Sequence, residues 1–133
     1  MSTTLHSALH DACLRHGRRD AFRFPERALT FSDIDENAGR LAAGLKQLGL
    51  RAGDRVMVMM PTCPELVLAH LAVQWLGAVR LPVNPGCSRD ELAYLLIDAE
   101  PKAIIIGHEQ LAAHAEVLEN AAIPYVVVGE APA

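Results

Sequence analysis

Residues 55–61 read RVMVMMP, and the fold follows from how this run must be buried. Val56 to Met60 are apolar without interruption, and Pro61 ends the run. A strand with one wet face would alternate apolar and polar side chains. An unbroken apolar strand is covered on both faces, which is the habit of a central strand in a parallel sheet.

The chain downstream supplies the expected covers. Residues 64–77 are helical in pattern, opened by Pro64, whose missing N–H costs nothing in a first turn. Leu66, Val67, Leu68, Leu71, Val73, Trp75 and Leu76 make this helix apolar almost all round, so it expects neighbours on several sides. Residues 78–83 form a second strand, and Pro82 places it at an edge or at an early exit from the ladder. Asn84, Pro85 and Gly86 turn the chain. Ser88 and Glu91 then stand at capping-box spacing before a helix with Leu92, Leu95, Leu96 and Ala99 as its stripe, which Pro101 stops. Residues 103–106 are a third buried strand, 109–122 another helix through Leu111, Ala115 and Leu118, and 125–128 a fourth strand.

Upstream, Gly53 and Asp54 make a turn, with Asp54 expected to accept backbone hydrogen bonds. Before it lies a helix with Ser32 read as its N-cap and Asp33, Asp35 and Glu36 in its first turn, where the helix dipole favours anions. Ile34, Ala38, Leu41, Ala42, Leu45 and Leu48 are its stripe, and Gly49 ends it in the left-handed conformation. Residues 21–31 alternate on either side of Pro25 and Glu26, as a small antiparallel hairpin would. Residues 4–16 are a first helix with Leu5, Leu9, Ala12 and His16 on one face, closed by Gly17. The order is helix, hairpin, helix, then β-α-β-α-β-α-β. The expectation is one α/β subdomain over residues 1–133, with a mostly parallel sheet flanked by helices and right-handed crossovers. Residues 129–133 trail off, which reads as a chain stopped between elements.

Composition narrows the function. A chain of 133 residues, 51% hydrophobic, can build a core without disulfides or metal. The net charge is −4, with ten Arg and two Lys, and no basic run interleaves with aromatics, which argues against nucleic acid. Arg15, Arg18 and Arg19 read as a solvated helix end. Cys13, Cys63 and Cys87 form no C-x-x-C pair. The first residues lack the apolar core of a secretory signal, and no apolar run approaches the ~20 residues of a membrane helix, so a reducing cytosol is the expected compartment.

Chemistry-bearing motifs are sparse. There is no G-x-x-x-x-G-K-[ST], no G-x-G-x-x-G after a strand and no G-x-S-x-G. The turn after residues 55–60 is Pro61, Thr62, Cys63 and Pro64, without the glycines that let a backbone approach a pyrophosphate. His6, His10 and Cys13 share a helix face at metal-ligand spacing but lack a fourth ligand, and packing is preferred. Cys63 and Cys87 precede helices, which could activate a thiol, yet small turn residues are the simpler reading. His70 and Gln74 share a face and are read as a hydrogen-bonded buried pair. Trp75 and Tyr94 are read as core or groove packing. No catalytic, cofactor-binding or metal-binding residue is assigned.

Several segments together resemble the adenylate-forming superfamily of acyl-CoA synthetases, luciferases and peptide-synthetase adenylation domains. LTFSDI at residues 29–34 is similar to its L-T-Y-x-E-L motif, with Phe31, Asp33 and Ile34 as mild departures. GLRAGDRVMVMMP at 49–61 resembles G-V-x-x-G-D-R-V-a-x-x-x-P, and LGAVRLPVNP at 76–85 resembles the second core motif. Glu91-Leu92 and Asp98 to Pro101 resemble the E-L-x-Y and D-A-E-P segments that follow. Asn84 is more like acyl- and aryl-CoA ligases than peptide-synthetase domains. The resemblance implies the N-terminal scaffold of an enzyme that uses ATP, magnesium and CoA. It places the phosphate loop, ribose-binding aspartate and catalytic lysine in segments absent from these residues, so the chain alone is expected to be inactive. Its expected partner is the remainder of the enzyme, in the same chain or a separate one. Self-association is expected through apolar surface left by helix 64–77. Two rivals are a free-standing flavodoxin- or receiver-like module and an interaction subunit of a split enzyme.

Overall fold

The computed structural model describes residues 4–129. The reading of a chain stopped between elements falls largely on residues 130–133, outside the described residues. The first three residues of the stretch read for a secretory signal lie outside them too.

The segment that decided the fold is strand β3, Arg55–Met59. It pairs in parallel with β4 (Val79–Pro82) on one side and β5 (Ala103–Gly107) on the other, and β5 pairs in parallel with β6 (Tyr125–Val128). The order β4-β3-β5-β6 makes a four-stranded parallel sheet, with β3 inside it and Pro82 on an edge strand. A separate two-stranded sheet is the antiparallel hairpin of β1 (Asp20–Arg23) and β2 (Ala28–Thr30).

The apolar run of β3 splits cleanly between two cores. Val56, Val58 and Met60 join Ala103 and Ile105 on one face, under α2 (Phe31–Gln47) and α3 (Pro64–Trp75). Met57 and Met59 join Ile104 and Ile106 on the other, under α4 (Arg89–Ala99) and the segments α5 (His108–Ala113) and α6 (Ala115–Ala121). Each of these side chains is nearly sealed from solvent. Burying one is worth about 1.5–3 kcal/mol, which is why both faces must be covered.

Helix α1 (Leu5–His16) lies outside α2 and α3 as an additional layer. This answers the demand of the nearly all-apolar α3. The sheet covers one side of α3 and the chain's own α1 and α2 cover the other, so no large apolar side chain of α3 is among the most exposed. Among the described residues those are Leu5, Leu14, Phe22, Leu48, Val79, Tyr94, Ile97 and Tyr125, scattered over other elements.

Four local readings are corrected. Helix α2 begins at Phe31 and its N-cap is Thr30, not Ser32. The Thr30 hydroxyl accepts from the Asp33 amide at 3.1 Å, and the Asp33 carboxylate accepts from the Thr30 amide at 2.9 Å. Ser32 instead donates its amide to the Gly17 carbonyl at 3.0 Å. Helix α1 does not bury the face of Leu5 and His16. Leu5 is 69% exposed, whereas Cys13 is buried, because the side turned to α2 and α3 carries His6, Leu9, His10 and Cys13. The single helix expected over 109–122 is divided at His114, whose backbone (φ −123, ψ 19) leaves the helical region and turns the chain so that Leu118 reaches the core. Leu48, read as the last residue of α2's stripe, is 51% exposed, because the helix ends at Gln47.

Other signals act as read. Gly49 (φ +94) follows the end of α2, and Ser88 and Glu91 form the reciprocal capping box of α4. Helix α4 ends through Glu100, held left-handed at φ +46 before Pro101.

Candidate functional site

The chain leaves β3 for β4 on one side and later crosses back to β5 on the other. The strand order therefore reverses between β3 and β5, and open α/β sheets bind ligands in the crevice outside the carboxyl ends of such strands. Here that crevice is bounded by Met60 and the turn Pro61–Pro64 after β3, and by Gly107 and His108 after β5.

Side chains crowd the end of β5 that bounds it. Gln110 lies so close over Gly107 that a Cβ there would collide with its amide oxygen, and the same Cβ would stand 3.3 Å from Met60. The His108 imidazole lies against Gly129, whose φ of +106 also requires glycine. Pro61 and Pro64 offer no N–H groups, and the N-cap of α3, Cys63, makes no side-chain hydrogen bond. The hairpin brings Arg27 to this end, where it pairs with Glu65 at 3.3 Å. A triphosphate is held by converging backbone amides and free cations. These residues do not fit one.

The residues singled out in the sequence are placed as follows. His6, His10 and Cys13 do share a face, and they use it for packing. The His6 ring lies 4.2 Å from the Trp75 ring, centroid to centroid, and His10 Nδ1 is 2.9 Å from Asp35 Oδ1. The Asp35 hydrogen bond and charge raise the His10 pKa. Cys13 is buried, and burial followed by the Asp35 charge raises its thiol pKa. Among the described residues no three His, Cys, Asp or Glu converge as a metal site would require. Cys87 is raised by burial and then by the Glu91 carboxylate, the opposite of an activated nucleophile.

Asp54 is the turn residue expected, its carboxylate accepting from the Arg51 amide at 2.8 Å. His70 and Gln74 are not a hydrogen-bonded pair. Nδ1 of His70 is buried without a partner, and burial, then Arg80, lowers the His70 pKa. His114 Nδ1 is likewise buried and unpartnered, a feature the helical reading of 109–122 concealed. Tyr94 lines a groove of about 350 Å³ with Pro82, Asn84, Cys87 and Glu91, whose polar groups are engaged locally: Asn84 accepts from Gly86 and Glu91 from Ser88. A larger cleft of about 730 Å³ between α2 and α3, beside Trp75, was not expected. Its one sequence signal is Gly39, a glycine inside a helix, which often marks a close approach.

The profile of the family described as "AMP-binding enzyme" matches residues 9–132. The chain belongs to this family. A long-chain-fatty-acid–CoA ligase of Bacillus subtilis is 41% identical over 102 residues, covering 77% of this chain and 18% of that protein. 4-Coumarate–CoA ligase 4 of Arabidopsis thaliana is 43% identical over 79 residues, covering 59% and 14%. The crystal structure of a Rhodopseudomonas palustris protein described as a long-chain-fatty-acid CoA ligase superimposes with a TM-score of 0.90 at 30% identity, over 98% of this chain and 34% of that one. The chain thus spans a fifth or less of these curated relatives and matches the N-terminal part of the solved ligases. As an AMP-binding family member it is not a flavodoxin- or receiver-like module. Its strand order is nonetheless of that doubly wound kind, with the first strand inside the sheet.

Proposed function

We propose that this chain is the N-terminal scaffold of an ATP-dependent acyl-CoA synthetase and is inactive alone. In the whole enzyme a carboxylate displaces pyrophosphate from the α-phosphate of ATP, and the thiol of CoA then displaces AMP from the acyl-adenylate to give the thioester. Magnesium, ATP and CoA would be engaged by polypeptide other than these residues, in the same chain or a separate one, in the cytosol. The observation that carries this reading is the superposition of 98% of the chain on about a third of a solved relative. The turn at the switch point supports it, because Pro61 and Pro64 offer a phosphate no N–H groups and Arg27 is paired with Glu65.

ATP–pyrophosphate exchange by the 133-residue chain with a panel of fatty and aryl acids tests the reading. The expected result is no exchange above a no-protein blank. Robust, acid-dependent exchange would overturn it. Self-association is proposed for the isolated chain through its exposed apolar residues, including Phe22, Tyr94 and Ile97. A sharp monomer peak in size-exclusion chromatography would contradict that.

A further inference from the structure

The cleft of about 730 Å³ lies at the opposite end of the sheet from the switch-point crevice, where the chain enters β3 and leaves α3. Trp75 and Leu76, both half-buried, give it apolar walls over the buried Ala42 and Leu50, and Lys46 and Arg51 add two cations. A Cβ on Gly39 would stand 3.2 Å from the Trp75 ring, tighter than most real contacts, so a bare backbone is what lets the indole settle against α2. A glycine inside a helix costs roughly 0.5–1 kcal/mol relative to alanine, so this approach is maintained against local preference. Neither Lys46 nor Arg51 takes part in an ion pair among the described residues; Asp54, the acid beside Arg51 in the turn, binds its backbone amide instead.

We propose that this cleft binds an amphipathic anion, its apolar body against Trp75 and Leu76 and its charged head between Lys46 and Arg51. The volume falls within the roughly 300–1,000 Å³ of small-molecule sites. The chain carries a net charge of −4, so its overall field repels anions, and the attraction is local to these two side chains. Carboxylate and phosphate heads share the required chemistry. The proposal goes beyond the scaffold reading and does not depend on whether the chain forms adenylates.

Trp75 is the sole tryptophan, so its emission reports on the cleft directly. The 133-residue chain is titrated with octanoate, octyl phosphate and octanol. The expected result is a saturable emission change with the anions, with octanol binding about fivefold or more weakly. The ranking of the two anions identifies the preferred head. Lys46→Gln with Arg51→Gln is expected to weaken the anions about tenfold and leave octanol unaltered. Ala43→Phe, at an exposed position lining the cleft, is expected to abolish binding of all three. These positions are on the surface, and an unchanged urea midpoint confirms that each variant is folded. No saturable change, octanol binding as tightly as octanoate, or anion affinity unaltered in the double variant would each overturn the proposal.

Discussion

His10 of α1 and Asp35 of α2 meet at 2.9 Å, Nδ1 to Oδ1, and join two helices that the intervening hairpin holds only indirectly. One helical turn earlier, His6 lies against Trp75, so α1 is fixed to α2 by a titratable pair and to α3 by a ring contact.

The pair makes the docking of α1 pH-dependent. Asp35 raises the folded-state pKa of His10, first by its hydrogen bond and then by its charge, with Asp11 adding to the effect. A raised pKa means that the contribution is complete below the unfolded value of about 6.5 and is lost as pH rises through the folded value. Amide exchange in α1 is therefore expected to be slower, after correction for intrinsic rates, on the acid side of that range. Asp35→Asn should flatten the difference. Protection of α1 that rises with pH would contradict this.

The start of α2 is tested by two hydroxyls. Thr30→Ala removes the side chain that accepts from the Asp33 amide and is expected to cost about 1 kcal/mol in urea unfolding. Ser32→Ala, at the position that the sequence pattern favours, should change stability far less. The reverse ranking would restore Ser32 as the cap.

Much of the fold was legible because it rests on local rules. The double burial of β3, the proline at the start of α3 and the Ser88–Glu91 box are each written in a few adjacent residues. The true cap of α2 was legible too, since Thr30 and Asp33 have capping-box spacing, but Ser32 stands two residues on and offers the same chemistry. The division at His114 carries no proline or glycine to announce it. The contacts of His6 with Trp75 and His10 with Asp35 join separate helices, so no periodicity reveals them. The crowding at the end of β5 was hidden for the same reason: Gln110 over Gly107 and His108 over Gly129 depend on how strand ends meet the helices and loops that follow them.

Gly17 is held by a close approach rather than by its dihedral angles, which are right-handed (φ −44). A Cβ there would strike the Ser32 hydroxyl and stand 3.2 Å from the Cys13 carbonyl. Gly17→Ala is expected to destabilise by about 1–3 kcal/mol. Adding Ser32→Ala should recover part of that loss. Full additivity of the two changes would show that the clash is not the cause.

Gly44 gives the opposite expectation. It lies inside α2 with open space where its Cβ would be. Gly44→Ala should raise stability by about 0.5–1 kcal/mol, read from the urea midpoint. A loss would mean that an additional contact is made there.

The central claim is most directly tested by isothermal calorimetry of magnesium-ATP added to the 133-residue chain. With Pro61 and Pro64 bounding the switch point and Arg27 paired with Glu65, no saturable heat is expected. Saturable one-to-one binding, lost when Gly107 or the turn from Pro61 to Pro64 is altered, would contradict the view that these residues build scaffold and that nucleotide chemistry belongs to other polypeptide.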